Sequence, residues 1–525
     1  MDKNLAFANH GEVIKMLYKA FGVLPRKNAL GDDGLDDTAK KRVQQVLNRL
    51  AKEEGKLQGN LAGAHKRLAY ILAGYFPLPI MEPIIEVLND LLDGYAHFVS
   101  NEGTFLNREQ SLRYAISIKA VPIAVDSLYF HLHWFSLVAV DLDMPDDPYW
   151  FLPSFEEGKD GRTTITYPLG KALEWAYQLC ETSQTQFHYP GKSAQTDSPE
   201  LVQNLENAIN WKKGRALPAL PALRKNLLLS FTKMDEAGRP VPPQKITAIF
   251  TVVVIARVTT YLATEINKHF GTAYLQELCQ QFRTYADWRR IETDEFLRQV
   301  LPVVTAVPGE EQARWQHACM HHHRFLKKKQ MDAAKEYIAH CNSTGQLPPE
   351  DAVTKLANRL GDYAVRVLHD LNQRQQGYHP PAEFIEMLGL GMELKKAAKT
   401  EWKQIDDYAA TLAEHGQENV LNWLEQWIRG AYHHHREQWD NALPYYRKAF
   451  KLAKYRAGGE QHNLVRQYLT AAAKTQKKVD FKQGVEWARI MGIKVFWLPA
   501  DEELTDENIA MAMAVFEEVT FAKPL

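Results

Sequence analysis

Three paired prolines constrain this chain more than any other feature. They stand in "GRPVPPQK" (Pro242-Pro243), "GQLPPED" (Pro348-Pro349) and "GYHPPAEF" (Pro380-Pro381). Proline lacks the amide proton that a helix interior uses, and it pushes the residue before it out of the helical region. Each pair therefore ends what precedes it and fits only in the first turn of a following helix. Elsewhere the apolar residues recur three and four apart, as in "GEVIKMLYKAF", "AKKRVQQVLNRLAKEEGKL" and "MEPIIEVLNDLLDGYAHFV". The expected class is mainly α: many helices separated by sharp breaks.

One region departs from helical period. "AISIKAVPIAV" and "LYFHLHWFSLVAVDLD" are rich in β-branched and aromatic residues, and "EEGKDGRTTITYP" reads as a turn beside a short strand. A small β element is expected around residues 115–167. A buried helix is the alternative for 115–140, because period alone does not separate the two. The polar, turn-rich "HYPGKSAQTDSPE" marks a boundary. The division expected is an N-terminal helical region with the small sheet (1–190), a central helical region (200–300) and a C-terminal helical region (310–525).

The net charge is −1, so no overall basic field draws the molecule to nucleic acid or to an anionic membrane. Any such contact must come from a local patch. The four cysteines, Cys180, Cys279, Cys319 and Cys341, form no CxxC pair, which suits a reducing, cytoplasmic setting. The two most apolar runs are interrupted, one by Asp126, His131 and His133, the other by Arg257. They read as buried core, with no membrane span expected.

The C-terminal region carries a repeat signal. In "GAYHHHREQWDNALPYYRKAF" a small residue, Gly430, is followed by Trp439, Ala442, Tyr446 and Ala449. These residues stand at the spacing of a tetratricopeptide repeat (TPR), and the segment resembles that family. Small residues at Gly430 and Ala442 let two antiparallel helices approach, and the aromatics fill the groove between them. Met331, Asp332 and Ala334 echo Trp439, Asp440 and Ala442 after a second histidine triplet. Ala472, Phe481, Gly484 and Met491 keep the same spacing downstream. The proline that usually follows the second helix is missing. The resemblance implies a C-terminal α-solenoid whose concave face binds a protein or peptide.

The histidine triplets themselves do not make a metal site. Consecutive helical residues point in different directions, so His433, His434 and His435 cannot share one ion. Near the other triplet, His317 and His321 form an HxxxH pair, and His340 with Cys341 ends the next helical stretch. These four are the candidate metal ligands, weighed against a plain reading as helix-surface polar residues.

A second motif suggests nucleic acid. In "NWKKGRALPALPALRKNL", Trp211, Gly214, Pro218 and Leu223 resemble the stretch after the recognition helix of lambda-repressor-type helix-turn-helix domains. Gly214 would close one helix in a left-handed cap. Lys212, Lys213, Arg215, Arg224 and Lys225 would meet phosphates. The bland reading is a helical corner with a packed tryptophan and a solvated basic face.

For catalysis, Asp141 and Asp143 form a DxD pair of the kind that holds a divalent cation in nucleases and glycosyl transferases. "RQQGYH" repeats an Arg-x4-His spacing used by HEPN-type ribonucleases, but Gly377 and the following prolines place it in a loop. GxSxG, GxxxxGK[ST] and HExxH are all missing. The leading expectation is a non-enzymatic interaction or regulatory protein with no cofactor. The alternatives are a DNA-binding regulator and a metal-dependent enzyme.

Overall fold

The computed structural model of the chain describes residues 6–23, 37–52, 57–126, 147–158, 161–180, 183–184, 199–231, 242–305, 346–360, 380–495 and 504–518, with scattered positions in 314–344 and 365–373. All three proline pairs act as starts: helices open at Pro243, Glu350 and Ala382. The first elements are α1 (His10–Phe21), α2 (Asp37–Leu50), α3 (Leu57–Ala73), α4 (Leu78–Asn101) and α5 (Arg108–Ala115). Asn9 with Glu12 and Asn107 with Gln110 close capping boxes at the starts of α1 and α5. Each box satisfies two amides that the helix itself leaves bare.

The 115–126 run is helical, and its reading as a strand is corrected here. A π turn spans Ile116–Ala120, and the helix continues through residue 126. Its β-branched residues serve a helical face: Val121 and Val125 pack with Leu278 and Tyr285. Asp126 accepts hydrogen bonds from Arg289 Nε at 2.6 Å and Tyr285 Oη at 3.1 Å. Residues 127–146 lie outside the described residues, and His131, His133, Asp141 and Asp143 with them. The small β element does occur in the expected window. Strands β1 (Ser154–Glu157) and β2 (Thr163–Thr166) pair antiparallel, with Ser154 opposite Thr166.

The centre is α9 (Pro243–Phe270). It packs against α1, α6 (Pro168–Leu179), α8 (Leu220–Phe231) and α10 (Thr272–Thr305). By length and composition α9 could cross a membrane, yet 61 % of its apolar window is buried inside the protein. Arg257 sits mid-helix and is only 2 % exposed. Its Nε donates to the Pro218 carbonyl at 2.6 Å, and its Nη1 donates to the carbonyls of Lys19, at 3.1 Å, and Ala20. The last carbonyls of a helix are short of donors, so this guanidinium caps the C-terminus of α1 from within the core.

The remaining helices are α7 (Pro199–Lys212), α11 (Glu350–Leu360), α12 (Ala382–Lys396), α13 (Trp402–Glu414), α14 (Asn422–His434), α15 (Trp439–Ala453), α16 (Gln461–Lys474), α17 (Lys478–Ile490) and α18 (Asp506–Glu518). The turn between α15 and α16 seats on the N-terminal helices. Tyr455 accepts the Phe7 amide at 3.2 Å through its carbonyl, and its hydroxyl meets both the amide and Nδ1 of His10. Gly103 pairs with Ala457, and Thr104 donates to the Arg456 carbonyl at 2.9 Å. Gly458 (φ 52°) lies so close to Gly103 that a Cβ there would stand 2.1 Å from the Gly103 nitrogen.

Two buried histidines follow from this packing. Burial depresses both His10, held between Tyr95 and Tyr455, and His434, bonded to the Tyr446 hydroxyl, to about 4. The unfolded chain therefore takes up these protons first as the pH falls. Their stability contribution is complete above about pH 6.5 and is lost on the way to pH 4, on the order of 2–3 kcal/mol for each group. Urea unfolding measured between pH 7.5 and 4.5 should show this decline, and a His10→Phe/His434→Phe protein should flatten it. Replacing Arg257 by Met keeps the stem but removes the donors to the Pro218 and Ala20 carbonyls and one of the two to Lys19. It should cost about 3 kcal/mol or more in the same assay.

Candidate interaction surface

The C-terminal helices form consecutive hairpins. α14 and α15 pack along one another across a connection of only four residues, as do α16 and α17 with three. A close approach makes the first hairpin. A Cβ on Gly430 would meet the Tyr446 ring at 2.8 Å, so only glycine lets α15 lie this near. Ala442, Tyr446 and Ala449 are fully buried, and Trp439 is half-buried, with its ring 4.5 Å from that of His434. In the second hairpin Gly484 sits under Leu469, where a Cβ would come within 2.7 Å. Trp427 Nε1 donates to Gln467 Oε1 at 2.6 Å and locks one hairpin to the next.

The three histidines of α14 take three directions, as consecutive helical residues must. His433 stacks on Tyr445, His434 turns inward to Tyr446, and His435 Nε2 lies 3.2 Å from the Lys395 carbonyl. Gln467 to Ala473 are buried without a break, so α16 is covered around its whole circumference. α14 also buries most of its length, Trp423 and Trp427 included. The surface open to solvent therefore comes from α15, α17, the flanking α13 and the C-terminal end of α14.

On that surface four rings gather. Trp402 meets Tyr432 at 5.1 Å, His433 at 5.6 Å and Tyr445 at 6.0 Å between centroids, and all four residues are half-buried. Two guanidiniums lie over them, Arg429 above Trp402 at 4.9 Å and Arg436 above Tyr432 at 3.7 Å. Arg429 is held in place by Glu425 (2.8 Å) and Asp406 (3.0 Å), which raise its already high pKa. Beside the rings, Pro444, Lys448 and Lys451 recur at helical spacing and are exposed. Residues 439–495 hold twelve lysines and arginines against four acidic residues, in a chain of net charge −1. Sequence reasoning missed both the ring cluster and this charge excess. A charge count over that window would have found the second, whereas Trp402 stands too far from Tyr445 in sequence to suggest the first.

The Trp211 corner is built into the core. Trp211 is 3 % exposed, and Gly214 (φ 64°) adopts the left-handed cap expected of it. Lys212 pairs with Glu174, and Arg224 donates to the Gly74 carbonyl at 2.9 Å while lying over Tyr75. Lys213, Arg215 and Lys225 are exposed. Of the candidate metal ligands, His317 lies outside the described residues. His321, His340 and Cys341 belong to no ligand cluster of three or more among the described residues. Cys341 is buried and its thiol is pushed up to about 11 by that burial, which disfavours the thiolate that binds metal. Comparison with protein-family models, curated proteins and solved structures finds no match.

Replacing Gly430 by Ala should cost about 1–3 kcal/mol, because the added methyl meets the face of a buried ring. Gly389→Ala in α12, where a Cβ meets nothing within 4 Å, should gain roughly 0.5–1 kcal/mol from helix propensity. Thermal melts of the two proteins should therefore move in opposite directions.

Proposed function

We propose that this is a non-enzymatic, cytoplasmic interaction protein whose TPR-like C-terminal hairpins hold an acidic polypeptide partner. The observation that carries the reading is the ring cluster of Trp402, Tyr432, His433 and Tyr445 beside an exposed basic edge. Tryptophan, tyrosine and arginine dominate the energetics of protein interfaces, since they bury large area at small entropic cost. Half-buried rings held by their neighbours are already ordered, so binding loses little side-chain freedom. The charge excess over 439–495 selects the sign of the partner and speeds encounter.

The hairpin packing supports the TPR-like reading through the contacts of Gly430 and Gly484. The burial of α16 and of most of α14 moves the binding face to the second helices, α13 and the C-terminal end of α14. A DNA-reading role would lean on Lys213 and Arg215, since Lys212 and Arg224 are engaged within the protein.

The test is a titration of the purified chain with fluorescent peptides of matched length, acidic with interspersed leucines against basic and neutral controls, and with duplex DNA. Acidic peptide should bind at least tenfold tighter than the controls. Trp402→Ala/Tyr445→Ala and Lys448→Glu/Lys451→Glu should each weaken it by about tenfold or more, with the second also flattening the salt dependence. DNA binding that survives both variants would reject the reading.

A further inference from the structure

A cleft of about 790 Å³ opens where β1 and the residue before it face α10, with Arg366 and Asp370 also lining it. It has the size of a site for one small organic molecule. Its wall on α10 repeats every fourth residue: Gln276, Gln280, Thr284 and Trp288. Phe155 and Trp288 bring aromatic rings to it, the latter stacked on Tyr285 at 5.6 Å. Gln281 adds a third carboxamide, and Arg283 lies over Tyr149 at 5.5 Å.

Two side chains of this wall also carry polar atoms left unmet inside the protein. Gln281 Oε1 and Arg283 Nε are buried and have no hydrogen-bond partner among the described residues. One is an acceptor and the other a donor, and leaving either unmet costs free energy.

The charges limit which ligand. Arg283 and Arg366 share the lining with two carboxylates, Glu277 and Asp370, and Arg366 also lies 3.9 Å from Glu350. The neighbouring Lys171 is committed elsewhere: it donates to the Leu152 carbonyl at 3.1 Å and lies 3.9 Å from Asp147. No cationic surplus is left among these residues for a polyphosphate. Burial pushes the Cys279 thiol up to about 12, so it stays protonated and adds no nucleophile. Carboxamides match the paired donor and acceptor edge of a nucleobase, and aromatic faces stack on its ring.

We infer that this cleft is a binding site for an uncharged, ring-bearing ligand of nucleoside type, held by the Gln276/Gln280/Gln281 carboxamides and Arg283 between Phe155 and Trp288.

The experiment is equilibrium dialysis of the full chain against radiolabelled adenosine, guanosine, cytidine and uridine, and against their 5′-triphosphates. At least one nucleoside should bind with a Kd below about 1 mM, and its triphosphate should bind no tighter. Gln276→Leu and Gln280→Leu replace exposed residues, so both proteins should melt as the parent does while binding at least fivefold more weakly. The proposal is overturned if none of the four nucleosides binds, if a triphosphate binds more tightly than its nucleoside, or if both variants bind like the parent.

Discussion

The fold depends on a guanidinium placed where a core usually holds a hydrocarbon. Arg257 lies in the middle of a long apolar helix, and its donors reach the end of α1 and the loop before α8. An ion buried this deeply is tolerable only when its hydrogen bonds are met. Carbonyls at a helix C-terminus meet them well, because the helix dipole leaves partial negative charge there. One side chain therefore sets the relative position of three segments that are far apart in sequence. The same contact ties the middle of α9 to the protein interior: the cation within its apolar stretch has its partners there.

The second constraint is the seam between the two ends of the chain. The Tyr455–Gly458 turn interleaves with Phe7, His10 and Gly103 through backbone hydrogen bonds, and Gln461 reaches the Val99 carbonyl at 3.1 Å while accepting from Trp487 Nε1. Arg456, buried in this seam, is brought down to about 10 by that burial. The C-terminal hairpins are thus not a free-standing stack: the turn between two of them is a structural part for the N-terminal helices. Their first helices lose most of their solvent access, and the exposed face comes from the second helices, α13 and the C-terminal end of α14.

Much of the helical layout was legible. Proline pairs act locally, through a missing amide and a ring clash, so their effect survives any tertiary context. The Gly430, Ala442, Tyr446 and Ala449 spacing likewise encodes a contact between neighbouring helices, which a short connection leaves little freedom to change. The 115–126 run misled because valine and isoleucine suit a strand face and a buried helix face equally. At the Trp211 corner the motif is local, whereas the partners that Lys212 and Arg224 find, Glu174 and the Gly74 carbonyl, are ones that sequence proximity does not reveal.

What the sequence determined by itself is the helical class, the places where helices must start, and the close approach inside the hairpins. Each follows from interactions within a few residues or across one short turn. Tertiary structure alone decided that Arg257 caps α1, that α16 is covered on all sides, that four rings from α13, α14 and α15 converge, and that a cleft with two unmet polar atoms opens beside α10. Periodicity shows that a helix has an apolar face but does not count how many partners cover it. Nor does it show which distant carbonyl or ring a polar side chain will find once the chain is packed.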